Sequence, residues 1–188
     1  MTKNIMIVGV GGQGTLLASR ILGNTVIGEG YDVKLSEVHG MSQRGGSVVT
    51  YVKYGDKVYS PIIGKGEADI ILAFEMLEAY RALPYLKKDG VMIVNTQTID
   101  PMPVITGAAE YPADIAKKLE ERIKLVQIDA LSKAHEAGNI KAVNVVLIGV
   151  MAKNTDISYD KWVETIKKTV PEKFLEINLK AFDLGYNL

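Results

Sequence analysis

The sequence predicts a three-layer α/β/α domain whose sheet is mainly parallel but carries an antiparallel hairpin element. Three observations predict it. Short, continuous apolar runs recur along the chain (Ile5 to Gly9, Val33 to Val38, Asp69 to Phe74, Gly90 to Asn95, Leu125 to Asp129), as strands buried on both faces require. Stretches with helical spacing separate several of them. Between the second and third runs the pattern changes, and a Gly-Asp pair stands between two β-rich segments, which is a hairpin signal.

The first strand, Ile5 to Gly9, runs into glycines and then into a helix with Leu17, Ala18, Ile21, Leu22 and Val26 on one face, closed by Gly28 and Gly30. Val33 to Val38 completes a βαβ unit, so the architecture reads as Rossmann-like. A polar, glycine-containing loop, His39 to Gly46, then stands where a crossover helix would be expected. Ser47 to Tyr54 is β-rich, Gly55-Asp56 reads as a two-residue turn, and Lys57 to Ser60 as the returning strand. A helix from about Glu75 to Leu86 links the Asp69 and Gly90 strands. Pro101 and Pro103 mark a connector, and Pro112 begins a Lys- and Glu-rich helix ending near Arg122. The rest reads as helical. Ala142 to Met151 is apolar on nearly all sides and therefore interior. Tyr159 to Thr169 and Glu172 to Leu184 are amphipathic, separated by Pro171. Neither a repeat nor a domain boundary is visible, so residues 1–188 read as a single domain.

Composition narrows the function. Twenty-two basic residues balance 22 acidic ones, which leaves no electrostatic footprint for nucleic acid or an anionic membrane. There is no cysteine, so neither disulfides nor thiolate-ligated iron–sulfur clusters can form within this chain. No signal peptide or membrane-length apolar run is present, which predicts a cytoplasmic protein. The two histidines, His39 and His135, have no carboxylate at helical spacing and predict no metal site. His135 belongs to an exposed-looking helix, Leu131 to Ala137.

Two stretches point to a site. Gly9-Val10-Gly11-Gly12-Gln13-Gly14 satisfies G-x-G-x-x-G between a strand and a helix. Such a loop lets backbone approach a phosphate and aims helix N–H groups at it; equally, its glycines can serve only close helix–sheet packing. A ribose-binding acid is expected about 20 residues on. Glu37 lies near that place but leads directly into the polar loop. The second stretch, Ser42-Gln43-Arg44-Gly45-Gly46, sets one arginine beside paired glycines, an arrangement that can grip a phosphate or carboxylate. Loops after the first two strands should meet at the carboxyl edge of the sheet, where open α/β sheets bind ligands. Glu75 ends another strand at that edge and doubles as a helix N-terminal acid. Asn144, inside an apolar helix, needs a partner if buried and could hold the glycine loop, meet a partner subunit or cap internally. Neither Ser36 nor Ser42 has a base arranged for nucleophilic catalysis, and no catalytic residue is assigned.

The motifs GVGGQG and EVHGMSQRGGSV, from Glu37 to Val48, together with Asn144 and Gly149, resemble the gamma-type domain of the 2-oxoacid:ferredoxin oxidoreductases. The His-Gly-Met-Ser-Gln-Arg-Gly-Gly wording is similar to that of the small subunit acting on indolepyruvate. The resemblance implies an oxidoreductase subunit that is not catalytic alone. A larger subunit would hold thiamine diphosphate, magnesium and iron–sulfur clusters, and this chain has no Gly-Asp-Gly…Asn diphosphate–metal motif. The implied reaction takes an aryl 2-oxoacid, coenzyme A and oxidised ferredoxin to an acyl-CoA, carbon dioxide and reduced ferredoxin. The candidate ligand-facing residues are Gly9, Gly11, Gly12, Gln13, Gly14, His39, Gln43, Arg44, Gly45 and Gly46, serving coenzyme A, substrate or the subunit interface. The rival readings are a nicotinamide-dinucleotide-binding domain of a small reductase and a nucleotide-sensing scaffold.

Overall fold

The computed structural model describes residues 2–40 and 45–188. Six strands, β1 (Lys3–Val10), β2 (Asp32–His39), β3 (Ser47–Gly55), β4 (Ala68–Ala73), β5 (Leu86–Asn95) and β6 (Lys124–Ile128), form one sheet in the order β2-β3-β1-β4-β5-β6. Strand β3 runs antiparallel to both neighbours, whereas β1, β4, β5 and β6 are parallel. The helices are α1 (Thr15–Gly28), α2 (Met76–Ala82), α3 (Met102–Ile105), α4 (Ile115–Glu120), α5 (Ala130–Ala137), α6 (Val143–Ala152), α7 (Tyr159–Thr169) and α8 (Leu175–Tyr186).

The expected antiparallel element exists, but the hairpin is not the one the Gly-Asp pair announced. Gly55 is the last residue of β3, paired with Asp32, and Lys57 to Ser60 is not a strand. The reason is positional: β2 and β1 already occupy both edges of β3, so no edge remains for a returning strand. Val58 instead donates its N–H to the Asp32 carboxylate at 2.8 Å, which ties this segment to the start of β2. Smaller differences occur at element ends. The Pro112 helix is confined to Ile115–Glu120, a single turn of helix stands within the Pro101–Pro103 connector, and β5 begins at Leu86.

Alternation along the strands feeds two cores. On one face Ile5, Ile7, Val52, Leu72 and Ile93 pack beneath α1, α5, α6, α7 and α8. On the other, Met6, Val8, Ile71, Met92 and Val94 pack beneath α2 and α4. Helix α6 is buried on every side and crosses α8 backbone to backbone. A Cβ at Gly149 would lie 2.3 Å from the Phe182 carbonyl oxygen, and one at Gly185 2.0 Å from that of Val146. No described helix is long and apolar enough to cross a membrane.

Candidate functional site at the carboxyl rim of the sheet

The parallel strands β1, β4, β5 and β6 end on one rim, where β2 also ends and β3 begins. The two glycine loops touch there. The Gly11 N–H donates to the Gly46 carbonyl at 2.9 Å, and the Gly45 N–H to the Gly11 carbonyl at 3.3 Å. These bonds continue the β1–β3 ladder, which ends at the Val10–Ser47 pair, so the antiparallel strand carries the second loop onto the first. Among the expected site residues, Gly9, Gly11, Gly12, Gln13, Gly14, Gly45 and Gly46 are therefore brought together. Gln43 and Arg44, with Met41 and Ser42, lie outside the described residues. His39 ends the edge strand β2, two strands away from β1 and thus about 10 Å across the sheet. Among the described residues, its exposed ring meets the carbonyl of Gly40, at 3.1 Å.

The first loop is fastened from within. The Gln13 Oε1 accepts the Val10 N–H at 2.7 Å, and its Nε2 donates to the Phe74 carbonyl at 3.0 Å and to the Gln97 Oε1 at 3.3 Å. Gly9 leaves room for this amide, since a Cβ there would stand 2.9 Å from Gln13 Oε1. Gly14, with φ of 85°, caps α1 in the left-handed region. Asn144, buried in α6, donates from Nδ2 to the Gly14 carbonyl at 3.3 Å and accepts the Val145 N–H at 2.9 Å. It thus holds the loop while accepting a first-turn N–H of its own helix, whose N-cap is Ala142, and a Cβ on Gly14 would stand 2.7 Å from its amide nitrogen.

The rest of the rim is a polar network that the sequence signals only in part. Asn95, the last residue of β5 and buried, donates to the Phe74 carbonyl at 3.2 Å and accepts the Ala130 N–H of α5 at 3.1 Å. Glu75, also buried, caps α2 by accepting the Glu78 N–H at 2.9 Å. It also takes the Ile99 N–H at 3.1 Å and the Tyr111 hydroxyl at 2.6 Å. Burial, reinforced by that bond to Glu75, pushes the Tyr111 phenol well above its ordinary pKa. Glu78 is buried as well, accepting the Ser47 hydroxyl at 2.5 Å and an Arg81 N–H at 2.6 Å. One carboxylate thereby fixes the first residue after the second glycine loop. Asn95, Gln97, Glu78 and Tyr111 were not singled out in the sequence. A polar residue ending an apolar run reads simply as the start of a loop, and only the convergence of four strand ends makes a network of them. His135 is exposed on α5, as its pattern predicted.

Two features depart from a dinucleotide-binding arrangement. Strand β3 separates β2 from β1, which moves Glu37 one further strand from the glycine loop. The Glu37 carboxylate also accepts the Thr50 hydroxyl at 3.1 Å, so it is engaged within the sheet. Concavity is not concentrated at this rim either. A cavity of about 330 Å³ lies at the opposite edge among Lys3, Asp69, Lys87 and Asp156, where the charges pair with one another. Among the described residues, no group of three His, Asp or Glu side chains stands close enough to hold a metal ion. The carboxyl rim offers converging backbone, amides and saturated carboxylates. That chemistry, among the described residues, suits positioning and contact.

The family model for pyruvate ferredoxin/flavodoxin oxidoreductase matches residues 4–188. The chain is 46% identical to indolepyruvate oxidoreductase subunit IorB of Pyrococcus horikoshii, over 97% of this chain and 93% of that one. In fold it is similar to the gamma subunit of a keto/oxoacid ferredoxin oxidoreductase from Geobacter sulfurreducens, with a TM-score of 0.74 at 24% identity over 98% and 96% of the two chains. The same fold occupies 31% of a longer chain, the 2-oxoglutarate:ferredoxin oxidoreductase of Magnetococcus marinus, with a TM-score of 0.74 at 19% identity over 100% of this chain. That structure has 2-oxoglutarate, coenzyme A and succinyl-CoA bound.

Proposed function

Because the chain belongs to the pyruvate ferredoxin/flavodoxin oxidoreductase family, we propose that it is the small subunit of an enzyme oxidising indolepyruvate or a related aryl 2-oxoacid, with ferredoxin as acceptor. That it is a subunit of a 2-oxoacid:ferredoxin oxidoreductase follows from the family and from the near-full-length relative. The aryl substrate, the acyl-CoA product and the cofactors are the proposal. In this reading residues 1–188 form a single gamma-type domain. A larger partner holds thiamine diphosphate, magnesium and the iron–sulfur clusters, since a chain without cysteine has no thiolates to bind a cluster.

The observation that carries the structural part is the direct bonding of the two glycine loops through Gly11, Gly45 and Gly46. A rim built this way presents backbone that a ligand or partner can approach closely, held from behind by Gln13, Asn144 and Glu78. We assign it the lining of the coenzyme A or substrate entrance once the partner is in place, with Gln43, Arg44 and His39 as contributing side chains. Co-producing the chain with the large subunit should give coenzyme A-dependent, aryl 2-oxoacid-dependent ferredoxin reduction. Full turnover by the large subunit alone would refute the assignment, and stoichiometric NAD(H) binding by the isolated chain would favour the dinucleotide reading. Arg44→Ala should raise the coenzyme A or substrate concentration needed for half-maximal rate, or weaken assembly.

A further inference from the structure

The two faces of the sheet are not covered alike. Strands β2 and β3 are roofed on one side by α1, where Val33, Val52 and Tyr54 join the larger core. On the other side α2 and α4 cover β1, β4, β5 and β6, while β2 and β3 carry no helix and are met at the Lys53 end by the segment of Ile62 and buried Ile63. The register sets three cross-strand pairs on that bare face: Lys34 opposite Lys53, Ser36 opposite Tyr51, and Val38 opposite Val49. Arg81 and Tyr85 wall it on the α2 side, and a cavity of about 80 Å³ opens there between Val49, Tyr51, Glu78, Arg81 and Tyr85.

The chemistry of this groove is that of a protein contact. Val38 is 57% exposed, and Val49, Tyr51 and Tyr85 are half-buried. Tyrosine and arginine beside aliphatic side chains are the residue types that dominate binding energy at interfaces. Its charge is one-sided. Lys34 and Lys53 stand directly opposite each other, a pairing that destabilises a sheet. Lys34 is answered by Asp32 at 2.5 Å, whereas among the described residues Lys53 bonds the Ile62 carbonyl, at 2.9 Å, and no carboxylate. The Arg81 guanidinium is half-exposed, with one nitrogen on Glu78. Glu78 is itself buried and has its oxygens taken by Arg81 and Ser47. The groove therefore sets three cations against two carboxylates, a surplus of one positive charge centred on Lys53 beside an apolar centre. Two other surfaces differ: the opposite rim is lined by paired charges, and α7 presents an alternating lysine and glutamate face.

The geometry points to the bare β2–β3 face as the surface on which the large subunit docks, through an amphipathic segment whose apolar side covers Val38, Val49, Tyr51 and Tyr85 and whose flanking carboxylates meet Lys34, Lys53 and Arg81. This rests on the subunit assignment above. The segment supplies the missing third layer, and it lies against Ser47, immediately after the second glycine loop, so docking and the rim are mechanically continuous. The fold's occurrence within a longer chain fits a surface designed to meet further polypeptide.

The test is co-purification of the chain with its large subunit, as wild type and as Val38→Glu and Lys53→Glu. Both substitutions are expected to weaken assembly at least about tenfold, and weakening by Lys53→Glu should grow as ionic strength falls. In the isolated chain Lys53→Glu gives up the bond to the Ile62 carbonyl but replaces a like-charge pair with an opposite one, so the two effects should nearly offset and it should melt close to wild type; weaker assembly without weaker folding is what a merely structural role would not give. Ile27→Glu, on the far end of α1, is the control and should assemble normally. If wild type assembles and both groove variants assemble equally well, the docking surface is wrong while the subunit assignment stands. If wild type fails to assemble, both are wrong. An isolated chain that is a dimer disrupted by Val38→Glu, with assembly intact, would give the groove to a second copy and overturn the proposal.

Discussion

One face of the sheet is closed mainly by shape and the other largely by polar ties, and the contrast separates where this chain is most tightly packed from where we propose it acts. Beneath α1, α6 and α8 the packing is close enough for two helix backbones to meet at Gly149 and Gly185. Beneath α2 and α4 the helices are short, the cover stops at β1, and the long connection after β5 is secured by Glu75 through Ile99 and Tyr111. Such carboxylates are costly to bury without partners. Saturated as they are at this rim, they fix loop positions that apolar packing would leave loose.

The contrast can be broken first at its strongest point. Gly185→Ala places a Cβ against the Val146 carbonyl oxygen. Separating α6 from α8 should cost about 4 kcal/mol or more in denaturant unfolding, at the top of the range for single substitutions. Glu75→Leu attacks the other face. It leaves the Tyr111 hydroxyl and the Ile99 N–H without an acceptor and should cost about 3 kcal/mol by the same measurement. It should also raise hydrogen exchange over residues 96–114 while leaving α6 protected.

A third expectation concerns pH. Burial pushes the Tyr54 phenol up to about 12, from an ordinary value near 10. The folded state thus holds that proton more tightly than the unfolded chain does. Its contribution is complete below about pH 10 and is lost as pH rises from there toward 12. Alkaline unfolding should steepen over that window, and Tyr54→Phe should flatten it. The smallest effect is expected on the bare face: Val38→Glu in the isolated chain should change stability by less than about 0.5 kcal/mol, since the side chain is mostly in water.

Much of this was legible in the sequence, and the gaps have physical causes. Buried strands announce themselves by continuous apolar runs, and α6 by having no polar face, so the layers followed from composition along the chain. That both glycine loops lie at one rim followed from strand direction; their direct contact needed β3 beside β1. What failed was the partner of β3. Gly55-Asp56 is a sound local turn signal, but pairing is decided by which edges are free, and β2 and β1 occupy both. The same insertion moves Glu37 away from Gly11, which spacing along the chain could not reveal. Glu75 and Asn144 were noticed as polar residues in apolar surroundings. Asn95 and Gln97 escaped notice because each is ordinary in its own segment and acquires a role only where four strand ends converge.

The central claim is that this chain serves its enzyme through the glycine rim and the bare β2–β3 face, leaving the α7 and α8 side as support. Hydrogen exchange of the free chain against the assembled complex tests it most directly. The account predicts new protection at Gly11 to Gly14 and Gly45 to Tyr51, with α7 and α8 unchanged. Protection confined to α7 and α8, with the rim and β3 exchanging as in the free chain, would contradict it.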